Sequence, residues 1–299
     1  MYVIEKRILK KFYVDSIGND SQEANLKSSL ARLMIIESVK EKIMSPLKRE
    51  IKKGENIKFK NILIVTYGRS GSTLLQGILN SIEGCLIRGE NFNFVYHLFK
   101  SYEAILSAKN RGILLAAKKK VNTPQTAWYG SNLLNDEYFI EVLRVLLKKL
   151  LLADNINNNR ISCYGFKEIR YINIIDDLLD YLDFLKRVFP DAAFIFNFRN
   201  IDNVSKSGWW KNKDKKELKE SLKKFEYRCL TYINNNNNFC FCIQYEDVVK
   251  KSQRLKELFK FLGVEYDVNK IDYILSLPHS YDPQQKYVKD IFNQYCKNK

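Results

Sequence analysis

The run NILIVT at residues 61–66 passes without a break into the loop YGRSGST and then into the apolar stretch LLQGILNSI. A short β-branched run, then glycines and hydroxyl residues, then a helix-period apolar pattern describes a buried strand turning into a helix. Such a strand needs cover on both faces, which commits the chain to a sheet layered with helices. The same unit aims backbone N–H groups and the positive end of a helix dipole at one point, a place suited to an anion. Gly68 and Gly71 permit the sharp turn and a close approach of the backbone, Ser70, Ser72 and Thr73 add hydroxyl donors, and Arg69 adds a charged planar fork that matches phosphate or sulfate oxygens. An ordinary tight turn with a solvent-facing arginine is the competing account. The triphosphate P-loop asks for a wider glycine spacing and a Lys before its Ser/Thr. Here the glycines stand closer together and Arg69 is the only cation in the loop.

From Asn61 onward the pattern is α/β. CLIR, SCYGFK, AAFIFNF and NFCFCIQ are further strand candidates, with helical segments around 93–118 and 136–152. NIIDDLLDYLDFLKRVF is an amphipathic helix ending before Pro190, and the five-Asn tract at 234–238 is a surface turn. Strands interleaved with helices predict crossover connections and a mainly parallel central sheet with helices on both faces. Residues 1–57 are basic and helix-patterned, with Leu26, Leu30, Leu33 and Ile36 on one face. The expected organisation is an N-terminal helical extension, 1–57, followed by one α/β domain, 58–299.

The formal charge of +16 over 299 residues favours an anionic partner without choosing among nucleic acid, lipid and small molecules. Much of it lies on Lys-rich helices such as KNKDKKELKESLKK, which read as solvated faces. No stretch approaches a membrane span and the N-terminus lacks a signal-peptide core, so a cytoplasmic location without a transmembrane segment is expected. The six cysteines contain no C-x-x-C pair and read as reduced core residues; with two histidines, a histidine-built metal site is not expected.

Two later motifs give the loop company. FNFRNIDNVSKSGWW starts at the end of the strongest strand candidate, with Arg199 and Ser207 eight residues apart. Ligands of open α/β sheets bind at such strand ends, and an Arg there with a Ser on the following helix would grip a second phosphate; a surface Arg and a capping Ser are the bland alternative. QYEDVVKKSQRLKELFKFLG reads as a strand ending in Tyr-Glu-Asp and then a helix closing in Phe-Leu-Gly. In this order and spacing the three motifs, over about residues 60–265, resemble the sulfotransferase family that uses 3′-phosphoadenosine 5′-phosphosulfate.

The resemblance implies a P-loop-like sulfotransferase fold, donor binding through Gly68–Thr73, 3′-phosphate binding by Arg199 and Ser207, and transfer without a required metal. It also accounts for the missing Lys, since the donor carries no triphosphate, and bacterial members often have Arg where others have Lys. The family's adenine-stacking Trp after the loop is Leu74 here, so adenine is expected to be held differently, with Tyr245 at the adenosine end.

Animal cytosolic members use a His base, but neither His97 nor His279 lies in a matching motif. Glu90 in IRGENFNF, 21 residues after Arg69, stands where heparan-type and bacterial carbohydrate enzymes place a catalytic Glu. Desolvation among Phe92, Phe94 and Tyr96 would suit it to general-base work, and capping the next helix is its alternative role. GFKEIRY supplies Lys167 for the leaving-oxygen side, Glu168 as reserve base, and Arg170. Trp209 and Trp210 are candidates either for an acceptor platform or for packing. The expected reaction is sulfuryl transfer to a carbohydrate or glycolipid hydroxyl, with no nucleic-acid partner. A small-molecule kinase of P-loop type and a basic nucleic-acid or membrane adaptor are the competing functions.

Overall fold

The computed structural model describes residues 57–118, 123–157 and 160–277. The expected N-terminal extension lies outside this range except for Ile57, as do His279 and Cys296. Five parallel strands, β1 (Asn61–Thr66), β2 (Cys85–Arg88), β3 (Cys163–Glu168), β4 (Ala192–Phe198) and β5 (Cys240–Gln244), form one sheet in the order β2-β3-β1-β4-β5. The chain passes from β1 out to β2 at the edge, returns to β3 between them, then crosses to β4 and β5 on the other side. The loop after β1 therefore sits at the point where strand order reverses, where ligands of open α/β sheets bind.

The helices are α1 (Ser72–Asn80), α2 (Phe94–Ala117), α3 (Asp136–Leu152), α4 (Leu178–Val188), α5 (Ile201–Ser205), α6 (Lys215–Asn235), α7 (Tyr245–Val249), α8 (Gln253–Leu262) and α9 (Val268–Ser276). Successive strand residues point to opposite faces. Leu63 and Val65 of β1 and Phe194 and Phe196 of β4 join one core with Phe99 of α2, Leu143 and Leu147 of α3, Leu182 and Leu185 of α4, and Leu222 and Phe225 of α6. Ile62, Ile64, Ala193 and Ile195 join the other, with Leu75 and Ile78 of α1 and Leu255 and Leu258 of α8. Both faces of β1 and β4 are covered, and for this reason those strands read as unbroken apolar runs. The lysines of α6 sit opposite its buried Leu218, Leu222, Phe225, Cys229 and Tyr232, as a solvated face should.

Three sequence expectations are displaced. The predicted helix over 173–189 begins within a 3₁₀ turn, Tyr171–Asp177, with Ile174 at φ −128°, and becomes α-helical only at Leu178. Tyr245, Glu246 and Asp247 do not end a strand; β5 stops at Gln244 and these residues start α7, where the Asp247 carboxylate accepts from the Gln244 N–H in a capping box. The five-Asn tract is half helix, since α6 runs through Asn235 before the turn. The five described cysteines are free, four of them buried and Cys242 partly so.

The free edge of β2 is closed by one side chain. The Ile87 N–H donates to Asn80 Oδ1 at 2.6 Å, and Asn80 Nδ2 donates to the Ile87 carbonyl at 3.0 Å. Asn80 thereby ties β2, which leads into Gly89 and Glu90, to the end of the helix that follows the loop. Asn80→Ala should destabilise the protein by about 1–2 kcal/mol, the cost of two lost partners on an edge strand. Urea denaturation measures it, and a loss below about 0.5 kcal/mol would mean that water replaces the amide.

Candidate active site

The loop is pinned from beneath. Thr66 Oγ1 donates to the Asn197 carbonyl at 2.6 Å and lies 2.7 Å from Ser70 Oγ, while Asn197 Nδ2 donates to the Ser70 carbonyl at 3.1 Å. All three residues are buried. Ser70 therefore faces the sheet as an anchor, and its hydroxyl is not the ligand donor the sequence pattern suggested. Ser72 is also buried at the start of α1, whereas Thr73 is exposed. Gly71 caps α1 at φ +77°, a conformation that favours glycine, and a Cβ there would lie 2.1 Å from the Tyr245 ring. At Gly68 a Cβ would lie 2.5 Å from the Trp209 ring, and the Gly68 carbonyl accepts from Trp210 Nε1 at 2.9 Å. The two tryptophans thus brace the loop; Trp209 remains half exposed. Leu74 is a core residue of α1.

Arg69 joins the loop to the segment after β4. Its carbonyl accepts from Arg199 Nη1 at 3.1 Å, and its own Nε donates to Ser207 Oγ at 3.1 Å. Arg199 and Ser207 are thus brought to one place around Arg69, with no direct bond between them. Ser207 is not on the helix after β4 as expected; α5 ends at Ser205, and Ser207 precedes a 3₁₀ turn at Gly208–Asn212. The Arg199 guanidinium lies 4.4 Å from the Tyr245 ring centre, and its Nε is buried with no hydrogen-bond partner. The Arg199 N–H donates to the Tyr67 hydroxyl at 3.0 Å, and that hydroxyl donates to Glu226 Oε1 at 2.6 Å. Burial raises the pKa of both Tyr67 and Glu226 above their ordinary values. A cleft of about 740 Å³ opens beside Arg199, with Lys219, Lys223 and Glu246 on its walls.

On the other side of the loop, Lys167 Nζ, almost fully buried, donates to Glu90 Oε1 at 2.9 Å, and Arg170 Nη1 reaches Glu90 Oε2 at 3.2 Å. Glu90 is about a third exposed and Phe92 projects into solvent, so the desolvating aromatic nest expected around Glu90 is absent; two cations surround its carboxylate instead. Glu168 is buried and has five donors. The N–H groups of Asn91 and Asn93 reach Oε2 at 2.9 and 3.1 Å, and those of Ile169 and Arg170, with Arg170 Nη1, reach Oε1 at 2.7–3.1 Å. Burial raises its pKa, but these bonds outweigh it and hold the pKa below the ordinary value. A carboxylate so occupied is a structural latch and a poor proton acceptor, which removes Glu168 as reserve base. The latch holds Phe92 and Asn93 at φ +59° and +58°, each a departure costing about 1 kcal/mol or more. His97 is exposed on α2.

Lys167, Glu168 and Arg170 were visible as a polar strand end. Tyr67, Asn197 and Glu226 were not, because their partners lie more than a hundred residues away and no local pattern marks them.

Residues 61–268 match the sulfotransferase family. The chain belongs to that family, whose members are transferases. No curated protein sequence matches it. Among solved structures it is similar to the sulfotransferase domain of the Synechococcus PCC 7002 olefin synthase, at 15% identity and a TM-score of 0.42, covering 81% of this chain and 86% of that one. The sulfotransferase domain from the curacin biosynthetic pathway gives 16% identity, a TM-score of 0.39, and coverage of 77% and 80%. Sulfotransferase STF1 from Mycobacterium tuberculosis H37Rv gives 13%, 0.36, and 88% and 81%. At these values the assignment rests on the family match. Among the described residues no helix is long and apolar enough to cross a membrane.

The Glu168 latch carries a pH signature. A carboxylate whose folded pKa is depressed adds stability that is complete above its ordinary value of 4.5 and is lost as pH falls through the depressed value. Glu168→Gln should cost about 2–3 kcal/mol near neutral pH. Urea titrations at about pH 7 and about pH 3 should show the gap to wild type narrowing in acid. A gap independent of pH would contradict the latch.

Proposed function

We propose that the protein transfers the sulfuryl group of 3′-phosphoadenosine 5′-phosphosulfate to a hydroxyl of a carbohydrate or glycolipid, with Glu90 as general base. The observation that carries this reading is the sorting of chemistry about the loop. Arg199 and Tyr245, after β4 and at the end of β5, lie on one side, and Glu90 and Lys167, after β2 and at the end of β3, lie on the other.

The donor fits the residues present. The buried, unpartnered Arg199 Nε has hydrogen-bond capacity that a phosphate oxygen would fill, with Ser207 close by through Arg69. The N–H groups at the start of α1 supply the second anion site for the phosphosulfate. The cleft beside Arg199 has room for the nucleoside, and the Tyr245 ring lies against the Arg199 guanidinium at 4.4 Å. When bound, the donor supplies a sulfuryl group already attached to a good leaving phosphate.

The remaining work falls to this chain. Glu90 is about a third exposed and hydrogen-bonded by Lys167 and Arg170, so its carboxylate can meet an acceptor hydroxyl and take the proton as that oxygen attacks the sulfuryl group. Lys167 is hydrogen-bonded to Glu90 and stands on the strand beside β1, which supports a role for its cation at the charge that develops on the leaving oxygen. The family match leaves the kinase and adaptor readings without support.

Two measurements test the assignment. Glu90→Gln keeps an acceptor for Lys167 but cannot take a proton, so kcat should fall by about 10²–10⁴ with 3′,5′-diphosphoadenosine affinity changed by less than about twofold. Glu90→Ala should likewise abolish transfer while donor binding survives, and retained turnover in either variant would remove the base role. Arg199→Ala should weaken 3′,5′-diphosphoadenosine by about 10–100-fold and adenosine 5′-monophosphate by much less, measured by calorimetry. Equal losses would mean that Arg199 only supports the loop through the Arg69 carbonyl.

A further inference from the structure

Phe92 is 78% exposed, two residues beyond Glu90, and its backbone is held in the left-handed region that phenylalanine rarely adopts. One face of the ring is covered by the Arg170 guanidinium, 4.1 Å from the ring centre, and the same guanidinium bonds Glu90 and Glu168. The ring is therefore fixed in direction, tied to the base through one intermediate side chain, and open on its other face. A core role does not account for it, since it joins neither apolar cluster. A solvent-facing turn would be better served at this φ by Gly or Asn. The Asn91 side-chain amide beside it has both polar atoms buried without partners.

We infer that Phe92 is an acceptor-binding residue, a platform on which a sugar ring stacks so that one of its hydroxyls is presented to Glu90. This rests on the sulfuryl-transfer reading above and adds the acceptor's subsite to it. The polarised C–H groups of a pyranose face suit the negative face of an aromatic ring, and a cation on the opposite face fixes the ring without competing for that surface. The surroundings discriminate between acceptor classes. An apolar phenol or sterol wants an enclosed slot, whereas Phe92 stands alone among Glu90, Arg170 and Asn91, whose charge and hydrogen-bond capacity suit a polyhydroxylated ring. Glu168 positions this platform by holding the N–H groups on either side of Phe92, so the latch and the subsite are one device.

The test uses Phe92→Asn and Phe92→Trp. Asn tolerates the left-handed conformation and removes the ring, so the urea midpoint should stay at or above that of wild type, and 3′,5′-diphosphoadenosine affinity should not change. With a panel of neutral oligosaccharides and labelled donor, Phe92→Asn should raise KM for the sulfated sugar by about 10-fold or more, and Phe92→Trp should restore KM to within about threefold of wild type. Wild-type KM in Phe92→Asn, or a falling urea midpoint at unchanged KM, would show a structural ring and overturn the inference while leaving sulfuryl transfer intact. Transfer by wild type to 2-naphthol but to no oligosaccharide would overturn the carbohydrate reading itself. Binding of 3′,5′-diphosphoadenosine that fails in wild type would instead remove the donor assignment on which both rest.

Discussion

A single buried carboxylate organises half of the site. Glu168 at the end of β3 would be costly to bury ionised without compensation, and its five donors supply that compensation. Four of them are main-chain N–H groups from two segments, residues 91–93 and 169–170, which are also joined by the Asn93 amide on the Arg170 carbonyl and by Arg170 over the Phe92 ring. Satisfying Glu168 therefore fixes the path of the chain after β2, the direction of Arg170, and through Arg170 the position of Glu90. The left-handed pair Phe92 and Asn93 is held at the cost of local strain, which the stability of the latch outweighs.

The other half depends on Arg69, used differently from its appearance in the sequence. A cation in a glycine loop suggests a direct grip on an anion. In the fold its guanidinium turns to Ser207 and lies over Trp209, and its carbonyl takes a bond from Arg199. Arg69 is thereby the joint between the loop and the segment after β4, more than a hundred residues apart. Under the proposed reading the loop's hold on the donor falls to the N–H groups at the start of α1, which has no side-chain cap. A Lys could not bond Ser207 through a fixed Nε and stack on Trp209 in the same geometry.

What was legible in the sequence follows from how locally each feature is determined. β1, β4 and the loop between β1 and α1 are written in consecutive residues, because both faces of a central strand are apolar and the left-handed turn calls for Gly71. The pairing of Glu90 with Lys167 could not be read, since it depends on β2 lying beside β3, and strand order is not a local property. The same distance hid the inward turn of Ser70, which Thr66 and Asn197 impose from beneath. The strand reading of Tyr245 and Glu246 failed for another reason. The Asp247 capping box and the Ser252 hydroxyl bonded to its carboxylate favour a helical turn over the extended preference of Tyr245.

The charges around the loop are unequal on its two sides, and the inequality fits the two substrates proposed. Glu90 and Glu168 face Lys167 and Arg170, so the base side carries two charges of each sign within hydrogen-bonding distance. On the donor side Arg69 and Arg199 are held by a hydroxyl, a carbonyl and an aromatic ring, and among the described residues neither is neutralised by an ion pair. The charged groups of a donor would gain from these two arginines at the loop itself, while the cleft beyond them, whose walls carry Asp202, Glu226, Glu246 and Asp247 beside Lys219 and Lys223, suits the uncharged nucleoside. Under the proposed reading Lys167, hydrogen-bonded to Glu90 at the end of the strand beside β1, is the one residue that serves both halves of the site, as partner of the base and as cation for the leaving oxygen.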